Sequence, residues 1–109
     1  MRTSIAFLLL ACGALTAISN AAPQKALIVD GQNNHQWQLT TPVLKKALED
    51  TGMFTVDVAT SPPKGADISG FQPEFRKYDV VISNYSDFGG GSVWPPVTQK
   101  AFEDFVRGG

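Results

Sequence analysis

The stretch Gly31 to Trp37 (G-Q-N-N-H-Q-W) concentrates groups that can do chemistry. It holds the chain's single histidine and one of its two tryptophans. The side-chain amides of Gln32, Asn33, Asn34 and Gln36 surround them. An imidazole changes charge near neutral pH, so His35 suits proton transfer or metal ligation. Amides donate and accept hydrogen bonds together, which matches the vicinal hydroxyls of a sugar. An indole face gives apolar contact to the C–H face of a sugar ring. A second stretch, Asn84-Tyr85-Ser86-Asp87 with Trp94 further on, repeats the mixture of amide, hydroxyl, carboxylate and aromatic groups. Neither stretch holds Lys or Arg, so the pair suits an uncharged polyhydroxylated ligand better than a phosphate.

Each residue also has a plainer role open to it. His35 can be a solvated loop residue, and Trp37 can pack over the following helix. Asn33-Asn34 can be turn formers, and Asp87 can turn or cap the chain. Position in the fold decides between these readings, so the elements matter next.

Lys25 to Val29 is a short run of branched apolar residues and reads as a buried parallel strand. Thr41 reads as a helix N-cap with Pro42 in the first helical position, where a missing N–H costs nothing. Val43, Leu44, Ala47, Leu48 and Thr51 mark the helix's inner face, and Gly52 a left-handed stop. Phe54 to Ala59 alternates with period two and predicts a second strand near a sheet edge. Ser61 to Phe71 is a loop, and Phe75 and Tyr78 predict a short turn packed under the sheet. Tyr78 to Ser83 reads as a third strand, buried on both faces at Val80 to Ile82. The loop from Asn84 to Trp94 contains Gly89-Gly90-Gly91. Pro95-Pro96 then opens a helix with the face Val97, Ala101, Phe102, Phe105 and Val106, ended by Gly108.

Alternation of strands and helices predicts an α/β fold, a parallel sheet with right-handed crossovers. Ligands of such sheets bind outside the carboxyl ends of the strands, where the strand order reverses. In the flavodoxin-like order that point lies between strands 1 and 3. The two chemically rich stretches follow those two strands, so topology predicts that they share one crevice. No G-x-G-x-x-G or G-x-x-x-x-G-K follows strand 1, and no nucleotide cofactor is expected.

Composition is ordinary, with 43% hydrophobic and 17% charged residues and a net charge of -1. No basic patch exists to displace counterions from nucleic acid, so no nucleic-acid partner is expected. Residues 1–21 have the layout of a signal peptide: Met1-Arg2, an apolar run from Ile5 to Ala17, and Ser19-Asn20-Ala21 as cleavage site. That predicts a secreted or periplasmic protein. Leu9-Leu10-Ala11-Cys12 supports a rival reading as a lipoprotein box, with a membrane anchor through Cys12. Cys12 is the single cysteine, so residues 22–109 contain neither disulfide nor thiolate. Their third strand is expected to present a bare apolar edge. Residues 22–109 are therefore expected to be the N-terminal part of a larger α/β domain, truncated after the second helix.

Three blocks carry a resemblance: G-Q-N-N-H-Q-W-Q-L-T-T-P-V-L-K-K-A-L-E-D-T-G-M-F-T-V, then D-V-V-I-S-N-Y, then W-P-P-V-T-Q-K-A-F-E-D-F-V-R-G-G. Together they resemble the opening of the trehalose-utilisation (ThuA-like) family. That resemblance implies a flavodoxin-like doubly wound parallel sheet, a three-layer α/β/α domain related to the class I glutamine amidotransferases. It implies a role in carbohydrate metabolism with a sugar or glycoside as ligand. The domain would be either a glycoside-active hydrolase or lyase, or a non-catalytic carbohydrate-binding or interaction module. His35 and Trp37 match the family's His-Asp-Trp pattern, with Asn34 before it. His35 would be the catalytic acid/base or a ligand of a divalent metal. Asn33, Asn34, Trp37, Asn84, Tyr85, Asp87 and Trp94 would contact the sugar. Gln36 stands where the family has aspartate, and an amide can be neither a general base nor a carboxylate ligand.

Overall fold

The structure, a computed structural model, describes residues 20–109. The expected leader, apart from Asn20-Ala21, and the Cys12 box lie outside the described residues. Strand β1 spans Gln24–Asp30, helix α1 Trp37–Glu49, and strand β2 Phe54–Thr60. A short 3-10 turn at Phe75–Lys77 precedes strand β3, Val80–Ser83, and helix α2 covers Pro96–Arg107.

The sheet has the order β2-β1-β3, and both pairings are parallel. Ala26 lies opposite Val56 and Val80, and Ile28 opposite Val58 and Ile82. This is the flavodoxin-like order at its centre, with the reversal between β1 and β3. Side chains alternate across a strand, so β1 feeds two cores. Leu27 and Val29 pack with Phe71 and Phe75, under Trp94, Phe102 and Phe105. Ala26 and Ile28 pack with Val56 on the opposite face, under Leu48 of α1. Phe75 is 2% exposed, and its ring lies 5.4 Å from that of Phe102 and 6.0 Å from that of Trp94. The short turn expected at Phe75 packs under the sheet, and since burying a phenylalanine contributes about 1.5–3 kcal/mol, it also anchors α2 there.

Three expectations change. Helix α1 starts a full turn before Thr41. The Asn33 side chain accepts the His35 backbone N–H at 2.8 Å, which bends the chain early. The Gln36 carbonyl then accepts from the N–H groups of Leu39 and Thr40, at 3.0 and 3.1 Å. Pro42 thereby sits inside the helix, and the inward stripe is Trp37, Thr41, Lys45 and Leu48. Val43 is turned outward, 67% exposed. In α2, Thr98 is buried, and its hydroxyl donates to the Phe71 carbonyl at 2.5 Å. Val97 and Val106, expected inside, are exposed. Strand β3 begins at Val80 rather than Tyr78, and Val80 to Ile82 are half-buried because β3 pairs on one side alone among the described strands.

Gly31 leaves β1 with φ +117°, a conformation closed to side chains. A Cβ there would lie 2.6 Å from the Ser61 backbone nitrogen, so glycine is what lets the loops after β1 and β2 touch. No helix of the described residues is long and apolar enough to cross a membrane.

Candidate sugar cleft

Three loops leave the carboxyl end of the sheet, and Gln32 ties them together. Its side chain is 5% exposed. The amide nitrogen donates to the Pro62 carbonyl at 2.8 Å, and the amide oxygen accepts the Ser92 N–H at 2.8 Å. Its backbone carbonyl accepts the Ser86 N–H at 2.9 Å. One residue after β1 thus holds the loops after β2 and β3.

Asn33 and Asn84 form a second tie. The Asn33 amide donates to the backbone and side-chain oxygens of Asn84, each at 3.2 Å. Asn84 in turn donates to the hydroxyls of Thr40 and Thr41, each at 3.0 Å. The Thr41 hydroxyl therefore joins β3 to α1 and caps no helix. With its amide engaged this way, Asn84 acts as a brace between elements.

Above these ties lies a cleft of about 330 Å³. Asn33, Asn34, His35, Trp37 and Gln38 form one wall, Ser86, Phe88, Gly89 and Gly91 the other, and Lys64 enters from the loop after β2. The predicted meeting of the loops after strands 1 and 3 is present. His35 is exposed in the cleft, and Trp37, the first residue of α1, is half-buried there. The wall offers amides, a hydroxyl, two aromatic rings, an imidazole and an ammonium.

Tyr85, Asp87 and Trp94 go elsewhere. They line a neighbouring recess of about 250 Å³ that faces α2. Trp94 belongs to the core, with the rings of Tyr85 and Phe102 at 5.4 and 5.7 Å. Its indole N–H is buried without a hydrogen-bond partner among the described residues. The Tyr85 hydroxyl donates to the Ser92 carbonyl at 2.5 Å, and burial pushes its pKa up. The Asp87 carbonyl accepts the Gly91 N–H at 2.9 Å, the role of a turn residue.

Lys64, Gln38 and Phe88 were not among the residues the sequence singled out. For Lys64 a signal existed: in a parallel sheet every strand ends on the same side, so the loop after β2 also reaches that end. Gln38 carried no such signal, because only the early start of α1 turns the helix's first residues to the cleft. Phe88 is an aromatic residue beside a glycine run, 72% exposed.

A divalent metal does not fit these residues. His35 is the one imidazole in the cleft wall, and no carboxylate lines it. Among the described residues no group of three or more His, Cys, Asp or Glu is placed to hold a metal ion.

No protein-family model matches the chain, and no curated protein matches it. Among solved structures, a ThuA-like protein from Parabacteroides merdae matches with a TM-score of 0.74 and 42% sequence identity. The match covers 80% of this chain and 30% of that protein. The chain therefore spans less than a third of the length of the relative it matches. In sequence and in fold the chain is ThuA-like over the part of the architecture that it spans.

Proposed function

We propose that the cleft above β1 and β3 binds a sugar ring or glycoside, in an exported protein of carbohydrate metabolism. The observation that carries this reading is the composition of the wall. Side-chain amides and the Ser86 hydroxyl line the cleft together with the rings of Trp37 and Phe88. Hydrogen-bonding groups at the edge of a ring and aromatic faces against it are the two contacts a pyranose needs. The volume, about 330 Å³, lies at the low end of small-molecule sites, roughly 300–1,000 Å³. That suits about one sugar ring. Export rests on the leader at residues 1–21. The share of the ThuA-like relative that is covered, 30%, supports reading residues 22–109 as one part of a larger domain.

Within the cleft His35 is the candidate acid/base. Its backbone is held by Asn33, while its ring stands free in the wall. A pure binding role is the second reading, and the absence of any carboxylate from the described wall favours it. A glycosidase of the ordinary kind uses a pair of carboxylates.

Titration calorimetry with monosaccharides and disaccharides separates these readings, alongside turnover of unmodified and oxidised disaccharides. Sugar binding should weaken about tenfold in Trp37→Ala, the loss of roughly 1.4 kcal/mol of stacking. Turnover that disappears in His35→Ala while binding persists makes His35 the catalytic residue. Equal rates in wild type and His35→Ala overturn that role, and a folded protein that binds no sugar overturns the site.

A further inference from the structure

Lys64 changes the charge of the cleft. The two loops singled out in the sequence hold no cation, which favours a neutral ligand. The structure brings an ammonium in from the third loop. Lys64 donates from Nζ to the Gly89 carbonyl at 2.8 Å, and this contact lays it across the glycine run. A Cβ on Gly90 would lie 3.1 Å from Nζ, so a residue without a side chain makes room for it.

The contact with Gly89 engages one of three donors and leaves the charge uncompensated. Lys64 takes part in none of the ion pairs among the described residues. The cleft wall contains no Asp or Glu. On a chain whose net charge is -1, this cleft is locally positive. An ammonium with two open donors, in a wall of amides and aromatic rings without a carboxylate, is matched by a ligand that brings its own anion.

We propose that the cleft selects a sugar acid, a pyranose bearing a carboxylate, with Lys64 as the residue that recognises the charge. This rests on the sugar-site reading given above. A single ammonium suits the one charge of a carboxylate. A phosphate dianion is better matched by two cations or a guanidinium fork. Lys64 is exposed, and charge pairs in such positions contribute about 1 kcal/mol at most and weaken with salt.

The test is titration calorimetry of the full chain with glucose, glucuronate and glucose 6-phosphate at low and high salt. Wild type is compared with Lys64→Met and Lys64→Arg. Glucuronate should bind about fivefold more tightly than glucose at low salt. High salt should shrink the preference, Lys64→Met should abolish it, and Lys64→Arg should retain it. Glucose binding should fall less than glucuronate binding in Lys64→Met. Equal affinity for glucose and glucuronate in wild type overturns the charge selection and leaves the sugar site standing. Tighter binding of glucose 6-phosphate, lost in Lys64→Met, overturns the choice of carboxylate. Failure of all three ligands to bind folded protein overturns the sugar site itself. Circular dichroism of Lys64→Met guards the comparison, because Lys64 also touches Gly89.

Discussion

Gln32 lies in the same stretch as His35, yet the two have opposite fates. His35 has an exposed ring, whereas Gln32 is 5% exposed and bonded to Pro62 and Ser92. Both were legible as polar loop residues, but burial was not. A side-chain amide serves a ligand or a backbone equally well, and only its neighbours decide. Replacing Gln32 by leucine would leave the Ser92 N–H and the Pro62 carbonyl without their partner in the loop junction. A buried polar group stranded in this way costs about 1–3 kcal/mol. Gln32→Leu should therefore lose about 2–4 kcal/mol of stability in urea denaturation, with weaker sugar binding. A loss below about 0.5 kcal/mol would mean that the three loops hold together without it.

At the scale of elements, helix α1 shows how local signals were outweighed. Thr41-Pro42 is a strong start signal, and the helix starts before it. The Asn33 bond to His35 and the Asn84 bonds to Thr40 and Thr41 fix the first turn. None of these partners is visible from the helix's own sequence, since Asn84 arrives from β3. The earlier start places Pro42 inside the helix, where it has no N–H to offer the Gln38 carbonyl. An interior proline costs a helix about 3 kcal/mol relative to alanine, offset by about 0.4–1 kcal/mol from its restriction of the unfolded chain. Pro42→Ala is expected to raise stability by about 2–3 kcal/mol, read as a higher urea midpoint with an unchanged slope. A destabilised variant would show that the ring's packing matters more than the missing bond.

For the molecule as a whole, the two tyrosines report on folding at high pH. Burial raises the pKa of Tyr78, helped by its hydrogen bond to Asp57, and burial likewise raises that of Tyr85. An unfolded tyrosine ionises at about pH 10. A folded-state pKa above the unfolded one contributes stability that is fully present below that pH. It is lost as pH rises through the folded value. The protein should therefore lose stability above about pH 10, and its phenolate absorbance should appear at higher pH in folded than in urea-unfolded protein. Tyr78→Phe and Tyr85→Phe should each remove one of the two delayed ionisations. Coincident titration in both states would show that neither hydroxyl is shielded by the fold.

Much of the fold was determined by sequence alone. The apolar run of β1, the alternation in β2, the glycine after α1 and the prolines before α2 fix the elements by short-range physics. Their alternation implies a parallel sheet and sends the rich loops to one end, while the order β2-β1-β3 is set by how the strands pair. Those loops do meet, with His35, Trp37, Asn33 and Asn34 in the cleft wall. Tertiary structure decided the division of labour there. Trp94 and Tyr85 joined a core, because aromatic side chains near α2 gain more from burial than from solvent. Asn84 became a brace, because two threonine hydroxyls lay within reach. Lys64 entered the cleft from the loop after β2, because in a parallel sheet every strand ends on the same side. Spacing along the chain sets which groups can be near; only packing across it sets which are left free to meet a ligand.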